Sequence, residues 1–448
     1  MSPRRRRGVA AAALLCVGVL VGIVAVTRDE AGTQPDGATA QAAPATAPTS
    51  APAITPAAPT RSTTAPAPST RPSTAAAPTP SAPKAATPAP WPPAPVGLTG
   101  PVSDVLADAP AKGPVRIVTV ARDAQGGPRI TVTTARNRSS APALVRQARM
   151  TPGALVVSVD HKVRVADVGQ PAPVTSAGIT RATPVRAADS AAPSNDTYRG
   201  IQWALDTLHA ETAWNLHQAI GQVVAVVDTG VDYNHPDLAA NIWSNPEGLG
   251  GCSGGSHGIN TVGTGPPTCD PMDDDLQYGG HGTHVAGILG ARGDNDAGVA
   301  GVNWSITMLP VKFVDSQGQG KTSDLLEGLQ WLLDVKQAGV DLRIVNDSQT
   351  FVGTPFSQAA ADMIDLLGAN DILFVTAAGN SGDDNDDPAV RRYPCGYGRA
   401  NEICVTATNN RDQLPGFANY GDETVDLGAP GSNIYSTLRD ASPWCVTR

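Results

Sequence analysis

Residues 198–448 alternate between short apolar runs typical of β-strands and longer stretches with helical periodicity. The alternating segments fall at 223–227, 306–314, 323–338, 342–345, 355–367, 372–377, 404–408 and 425–427. Strands that are apolar along their whole length are buried on both faces, as in a parallel sheet covered by helices. The pattern therefore predicts an α/β fold with a mostly parallel sheet flanked by helices. In such a sheet, catalytic groups gather at the carboxyl ends of the strands.

A smaller unit is predicted at residues 98–168. Strand-like runs at 115–121, 130–134 and 155–159 surround a helix-compatible stretch at 141–150. This pattern predicts a small α+β module, separated from the α/β domain by a loop-rich linker at 169–197. An adhesion or spacer domain is one interpretation of this module; the alternative depends on the nature of the domain that follows.

The N-terminal 97 residues are predicted to be an export segment followed by a linker. Four consecutive arginines precede an uncharged, mostly apolar run at 8–27, which is long enough to span a bilayer. We expect residues 1–30 to be a membrane anchor, or a signal peptide if they are cleaved; a buried core helix is the alternative. Residues 31–97 hold 17 of the 40 prolines, set among Ala, Thr and Ser, a composition typical of a disordered linker. The rest of the chain is then expected outside the cell, anchored or secreted.

The charge of the chain is distributed unevenly. Residues 1–197 hold 20 basic and 10 acidic side chains, whereas residues 198–448 hold 12 basic and 31 acidic ones. The larger domain therefore carries a charge of −19 and should repel nucleic acid and anionic lipid. We expect no nucleic-acid partner.

The apolar run QVVAVVDTG ends in Asp228, at the carboxyl end of a predicted buried strand. A carboxylate placed there is partly buried and needs a hydrogen-bond donor such as an imidazole N–H. The alternative interpretation is an aspartate that caps a loop or a helix.

The segment GGHGTHVAGILG places His281 after two glycines, at the start of a predicted apolar helix. The glycines allow close backbone approach, and the helix would hold the imidazole in its first turn. His284 lies three residues further on, so a pair of metal ligands is an alternative, although no third ligand or intervening glutamate supports it.

Asn380 ends a third segment, FVTAAGN, in which a strand runs into a turn of small residues. A side-chain amide at this position can stabilise the oxyanion of a tetrahedral intermediate. An ordinary turn asparagine is the alternative.

These three segments closely resemble the subtilisin-like serine proteases (subtilases, peptidase S8 family) in wording and in order. DTGVDYNHPDL, GGHGTHVAGI and TAAGN match the motifs that hold the family's catalytic aspartate, catalytic histidine and oxyanion asparagine. The resemblance covers about residues 198–438 and implies a subtilisin-like fold and hydrolysis of peptide bonds. It implies that Asp228 orients His281, that His281 transfers the proton of a nucleophilic serine, and that Asn380 binds the oxyanion.

The resemblance also implies a substrate cleft and an inhibitor. Gly318, Gly320 and Ser348 are similar to the family's extended segments that pair with a polypeptide substrate. The segment NDSQTFVG, which contains Ser348, differs from the sequence usual in the family, so the primary specificity pocket is undefined. Residues 98–168 resemble the family's pro-region, which acts as an intramolecular inhibitor.

The family's nucleophile motif, Gly-Thr-Ser-Met-Ala, occurs nowhere in the sequence. Ser432, Ser436 and Ser442 are the serines near the expected position, and none follows Gly-Thr. We expect the sequence to be a C-terminally truncated form of an active serine endopeptidase precursor. The alternative is a catalytically inactive peptide-binding protein of the cell surface. For the chain as sequenced, we predict no labelling by a serine-directed fluorophosphonate.

The cysteines predict disulfides, and no cofactor is expected. Cys252 with Cys269, and Cys395 with Cys404, are close enough in sequence to close loops in an exported protein, which leaves Cys445 over. No C-x-x-C spacing supports a zinc site. Calcium is common in the family, but the acidic run 383–387 lacks the Gly and Glu positions of a standard calcium loop and fits a solvated turn better.

Overall fold

The computed structural model describes residues 97–124, 126–164, 194–216, 222–351 and 355–439, which all belong to one compact unit. The predicted N-terminal anchor or signal, almost all of the 31–97 linker, Ser442 and Cys445 lie outside these residues. Within the described part of the chain, no helix is long and apolar enough to cross a membrane.

The α+β module contains an antiparallel sheet of three strands, β1 (Val115–Arg122), β2 (Pro128–Ala135) and β3 (Ala154–Val159), in the order β2-β1-β3. Helices α1 (Val102–Val105) and α2 (Ala141–Arg149) pack beside it. The apolar face of α2 buries Val145 and Ala148 against Ile117 of β1. A short strand, β4 (Lys162–Arg164), follows the module.

A parallel sheet of seven strands forms the centre of the larger domain. Its strands are β5 (Val223–Asp228), β6 (Ile259–Asn260), β7 (Thr307–Lys312), β9 (Leu342–Asp347), β10 (Leu373–Ala377), β11 (Glu402–Thr408) and β12 (Leu427–Pro430). Their order is β12-β11-β10-β9-β5-β7-β6, and every pairing is parallel. Every residue of β5 is buried, as expected for a central strand covered on both faces.

Helices cover both faces of this sheet. Two short ones, α3 (Trp203–Thr207) and α4 (Ala210–Leu216), precede β5. Helix α5 (His281–Gly290) packs on one face, and α6 (Thr322–Gln337) and α7 (Gln358–Ala369) pack on the other. The predicted α/β fold with a mostly parallel sheet, preceded by a small α+β module, is confirmed.

Two element boundaries differ from the sequence prediction for local reasons. Helix α7 begins at Gln358, three residues after the start of the predicted helix, because the Ser357 side chain accepts a hydrogen bond from Ala360 N and caps it there. Strand β12 begins at Leu427, and the Asp426 carboxylate just before it accepts a hydrogen bond from Cys404 N.

Both predicted disulfides are confirmed. Cys252 is bonded to Cys269, and Cys395 is bonded to Cys404. The second bridge joins Cys395, in the 3-10 turn Cys395–Tyr397, to Cys404 within β11, and both cysteines are buried.

The module lies against the larger domain through α6, α7 and a strand pairing. Strand β2 contacts α6, and β3 contacts α7. Strand β4 pairs antiparallel with β8 (Gln319–Lys321), with Val163 opposite Gly320.

Candidate active site

Asp228 and His281 form a buried hydrogen-bonded pair at the carboxyl end of the central strand. His281 Nδ1 lies 2.8 Å from Asp228 Oδ1, and the side chains are 3% and 0% exposed. Asp228 is the last residue of β5, and His281 is the first residue of α5. Because the carboxylate holds Nδ1, the imidazole is left with Nε2 as its nitrogen for proton transfer.

Glycines allow the two elements to meet at this point. Gly280, just before α5, has φ of +101°, a left-handed conformation that favours glycine. Gly282 lies against the end of β5, where an added Cβ would stand 2.0 Å from Gly230 O. The glycines of GGHGTH therefore permit the close approach that the sequence predicted.

The surroundings of His281 raise its pKa. Burial of the imidazole lowers the pKa, but the charge of Asp228 and the hydrogen bond to it outweigh burial. The carboxylates of Asp275 and Asp273 act in the same direction as Asp228. The resulting rise in the pKa of His281 favours the protonated imidazolium, the state that follows proton uptake by a general base.

Gln349 is a second polar neighbour of the imidazole. Its side-chain amide lies 3.1 Å from His281 Nδ1, and Gln349 is fully buried. It lies two residues beyond the end of β9, the strand adjacent to β5. In the sequence, NDSQTFVG stands out only as a departure from the family's motif, and nothing in it predicts the contact between Gln349 and His281.

Asn380 follows the end of β10 by three residues, at the same edge of the sheet as Asp228. Its Oδ1 is buried and has no hydrogen-bond partner among the described residues. The oxyanion role of Asn380 stays a prediction.

The predicted substrate-binding residues lie on two separate segments. Gly318 precedes β8, and Gly320 lies within it and pairs with Val163 of β4. Ser348 follows β9, and its hydroxyl accepts a hydrogen bond of 2.9 Å from Asn346 Nδ2. Ser348 is also next to Gln349, which brings this segment to the imidazole.

Asp347, which the sequence analysis did not single out, is a buried acid beside the pair. It ends β9 as Asp228 ends β5, and it is fully buried. Burial raises the pKa of Asp347 well above its ordinary value, and the charge of Asp228 adds to this. The N–H of Gln349 opposes the rise only in part, and neither carboxylate oxygen has a hydrogen-bond partner of normal geometry among the described residues. The sequence signal that could have identified Asp347 is an apolar strand that ends in an acidic residue.

The described residues offer no group of three or more His, Cys, Asp or Glu side chains arranged to hold a metal ion. His281, the first member of the possible metal pair, is bonded to Asp228. In the acidic run, Asp383 pairs with Arg392, and Asp386 accepts hydrogen bonds from the backbone of Glu423 and Thr424. In the described part of the chain, both carboxylates therefore bind other groups of the protein.

The serines near the end of the described chain have structural contacts. Ser436 is fully buried, and its hydroxyl donates to His284 O over 2.7 Å. Ser432 is 4% exposed, and its carbonyl oxygen accepts from Trp203 Nε1. Within the described part of the chain, the hydrogen-bonding neighbours of the His281 imidazole are Asp228 and Gln349, not a serine hydroxyl.

A buried Asp–His pair at the carboxyl end of a central parallel strand, with the histidine in the first turn of a helix, is the geometry of a serine-hydrolase acid–base pair. Comparison with known proteins identifies the family. The sequence profile of the subtilase family (Peptidase_S8) matches residues 219–446, half of the chain. The chain therefore belongs to the subtilase family.

Individual relatives agree with this assignment. Thermitase of Thermoactinomyces vulgaris is 31% identical over 248 residues, which cover 55% of this chain and 75% of that protein. A thermophilic serine proteinase of Bacillus sp. (strain AK1) is 32% identical, covering 55% of this chain and 53% of that protein. Subtilisin-like protease 1 of Plasmodium berghei is 30% identical, covering 55% of this chain and 44% of that protein. The chain thus spans about half the length of the last two relatives.

Among solved structures, a protease of Pseudoalteromonas arctica is similar, with 26% identity and a TM-score of 0.44. That similarity covers 56% of this chain and 75% of the other.

Proposed function

We propose that this protein is the precursor of an exported subtilisin-like serine endopeptidase that hydrolyses polypeptides. The observation that carries the proposal is the buried hydrogen bond between Asp228 and His281 at the carboxyl end of β5. Asp228 holds the imidazole in one orientation and stabilises its protonated form. His281 takes the proton of an attacking serine and returns it to the leaving amine.

Asn380 supplies the oxyanion-binding amide in this proposal. Its position at the same sheet edge as the Asp–His pair supports that role. Removing one such donor typically costs about 3 kcal/mol of transition-state stabilisation. The two disulfides fit a protein that acts outside the reducing cytoplasm.

Residues 98–168 act as an intramolecular inhibitor in the same proposal. Strand β4 occupies the edge of β8, which holds Gly320, one of the residues assigned to the peptide substrate by resemblance. Two strands cannot take the same hydrogen-bonding edge, so a substrate that pairs with β8 must displace β4.

Polar contacts anchor this arrangement at the start of α6. The Asp160 carboxylate accepts hydrogen bonds of 2.9 Å from both Ser323 N and Ser323 Oγ. Arg116 of β1 donates to the same carboxylate over 2.6 Å. The carboxylate thereby accepts from a backbone N–H of the first turn of α6, where negative charge is favourable.

The test begins with the coding sequence downstream of Arg448. We expect a continuation that encodes a Gly-Thr-Ser-Met-Ala motif, and we expect the protein expressed with it to hydrolyse peptide substrates. His281→Ala should lower kcat/KM by about 10⁴-fold or more, because the serine would lose its general base. Glu247→Ala, a change of an exposed residue, is the control.

A protein that carries the nucleophile motif but hydrolyses no peptide would contradict the proposal. Hydrolysis that survives His281→Ala unchanged would contradict it as well.

A further inference from the structure

An acidic turn, residues 273–275, lies directly before the loop that leads into α5. Asp273 and Asp275 are 2% and 0% exposed, whereas Asp274 between them is exposed and pairs with Lys312. Buried carboxylates are costly unless donors satisfy them, so the contacts of these two acids indicate what they do.

Asp275 binds the backbone that delivers His281. Its Oδ2 accepts hydrogen bonds from His281 N at 3.1 Å and from Gly280 N at 3.2 Å. Its Oδ1 accepts from Gln277 N at 2.9 Å and from Tyr278 N at 3.2 Å. The first N–H groups of a helix have no partner within the helix, and this single carboxylate satisfies those of Gly280 and His281 at the start of α5.

Asp273 binds the same helix one half-turn later. Its Oδ2 accepts from Thr283 N at 3.0 Å and from Thr283 Oγ1 at 2.7 Å. Its Oδ1 accepts from Thr229 Oγ1 at 3.1 Å and from Asp275 N at 3.1 Å. Asp273 therefore joins the start of α5, the end of β5 and Asp275.

Thr229 completes the connection to the catalytic aspartate. Its backbone N–H donates to Asp228 Oδ1 over 2.7 Å, the oxygen that also faces His281. Its hydroxyl accepts from Gly282 N over 2.9 Å while donating to Asp273. Both members of the Asp228–His281 pair are thus tied, through main-chain and hydroxyl groups, to one buried acidic turn.

We propose that Asp273 and Asp275 are positioning residues, which hold the His281 imidazole against Asp228 by fixing the first turn of α5 to the end of β5. This inference rests on the proposed function, since the pair they position is the proposed acid–base pair. The nine hydrogen bonds from Gln277, Tyr278, Gly280, His281, Thr283, Thr229 and Asp275 account for the positioning.

The charges of the two carboxylates act on the imidazole as well. Both Asp275 and Asp273 raise the pKa of His281. An amide in place of either carboxylate would remove this charge and would turn an N–H₂ group toward backbone donors. Loss of a positioning acid should therefore change the imidazole itself and not only the stability of the fold.

The experiment measures His281 by NMR in the full chain, with Asp275→Asn and Asp273→Asn as test variants. The readouts are the low-field proton resonance of His281 Nδ1 and the pKa of the imidazole. Asp275→Asn should lower this pKa by about one unit. Asp273→Asn should lower it by less, because burial raises the pKa of Asp273 itself to about 7 and so reduces its charge near neutral pH. Both variants should broaden or abolish the resonance. Asp274→Asn is the matched control: it removes one charge from the same turn without touching α5, and should change the pKa by less than about 0.3 unit.

Thr283→Ala is a milder variant, for use if an acid variant does not fold. It removes the Thr283 Oγ1 bond to Asp273, and it should lower the pKa of His281 in the same direction, with restoration in Thr283→Ser. A folded acid variant or Thr283→Ala with an unchanged pKa and an unchanged resonance would overturn the proposal. Failure of the proposed function would instead appear as absent peptide hydrolysis while both NMR readouts followed the expected pattern.

Discussion

At the scale of single residues, two strands end in aspartates with opposite environments. Asp228 has donors from Thr229 N and the His281 ring on one oxygen. Asp347, on the neighbouring strand, has no partner of normal geometry for either oxygen among the described residues. The charge of Asp228 adds to burial in raising the pKa of Asp347, and too few donors oppose that rise.

This difference predicts that Asp347→Asn stabilises the protein at alkaline pH. Burial raises the pKa of Asp347 in the folded state, so the unfolded state releases its proton first as pH rises above 3.8. Asp347 therefore lowers the free energy of unfolding increasingly with pH. Asp347→Asn should raise that free energy by about 1–3 kcal/mol at pH 8 and leave it nearly unchanged at pH 4. Urea denaturation at the two pH values measures it.

Asp341→Asn is the control for this prediction. Asp341 is half exposed and pairs with Arg343, so its replacement should have a small effect at both pH values. Equal destabilisation by Asp347→Asn at pH 4 and pH 8 would show that the residue is not a protonated buried acid.

At the scale of elements, the site depends on how closely α5 approaches β5. All ten residues of α5 are buried, and the helix contains small residues where it meets the sheet. At Gly282 the space is filled: an added Cβ would lie 3.0 Å from Asp228 Cβ and nearer still to Gly230 O. The helix cannot take even a methyl group here without moving away from the strand.

Gly282→Ala is accordingly expected to lower the free energy of unfolding by about 2–3 kcal/mol. It should also weaken the hydrogen bond between Asp228 and His281, since that bond joins the two elements that separate. Urea denaturation and the low-field His281 resonance measure the two effects.

Gly200→Ala is the matched control, because an added Cβ there meets no atom within 4 Å. We expect its effect to stay within about 0.5 kcal/mol. A Gly282→Ala protein of unchanged stability would mean that α5 tolerates displacement and that the close approach is unnecessary.

At the scale of the whole molecule, the contact between module and α6 contains several ionisable groups. Burial raises the pKa of Asp324 to about 6 and that of Glu327 to about 7, and Arg116 and Lys321 oppose both shifts. Burial lowers the pKa of His161 on the module side. Docking of the module is therefore coupled to protonation of both partners.

Glu327→Gln should tighten docking of the module at alkaline pH. Between its free value of 4.5 and about 7, Glu327 holds a proton only in the docked state, so rising pH weakens docking through this group. At pH 4, below both pKa values, the wild-type protein and Glu327→Gln should retain the module equally. At pH 8 the variant should retain it about tenfold more tightly, since partial exposure screens the charge.

The measurement uses full chain cleaved at a protease site inserted within residues 169–193, followed by size-exclusion chromatography at each pH. Both proteins contain His161, so its effect on docking cancels in the ratio of their affinities for the module. Glu247→Gln, on an exposed loop, should behave as wild type. A ratio that does not change with pH would refute the assignment of Glu327 as a docking-linked acid.

Much of the fold was predictable because strand and helix periodicities are local properties of the chain. The six residues of β5, the sixteen of α6 and the three strands of the module fall within a few positions of the sequence prediction. The sequence pointed to Asp228 and His281 because a charged residue at the end of an apolar run, and a histidine between glycines, conflict with their surroundings unless they find a partner. The structure pairs the two side chains, and their catalytic role stays a prediction. Both disulfide pairs followed from short sequence separations.

Other parts of the site were decided only by tertiary structure. His281 and Asp228 are 53 residues apart, Gln349 is 68 from His281, and Asp160 is 163 from Ser323. The periodicity of the sequence does not predict such long-range contacts. They depend on the order of the strands in the sheet and on which face of the sheet each connecting segment covers. For the same reason, the acids at 273 and 275 read as a polar loop in the sequence. Only the packing of α5 on β5 turns them inward, where burial requires each carboxylate to find donors.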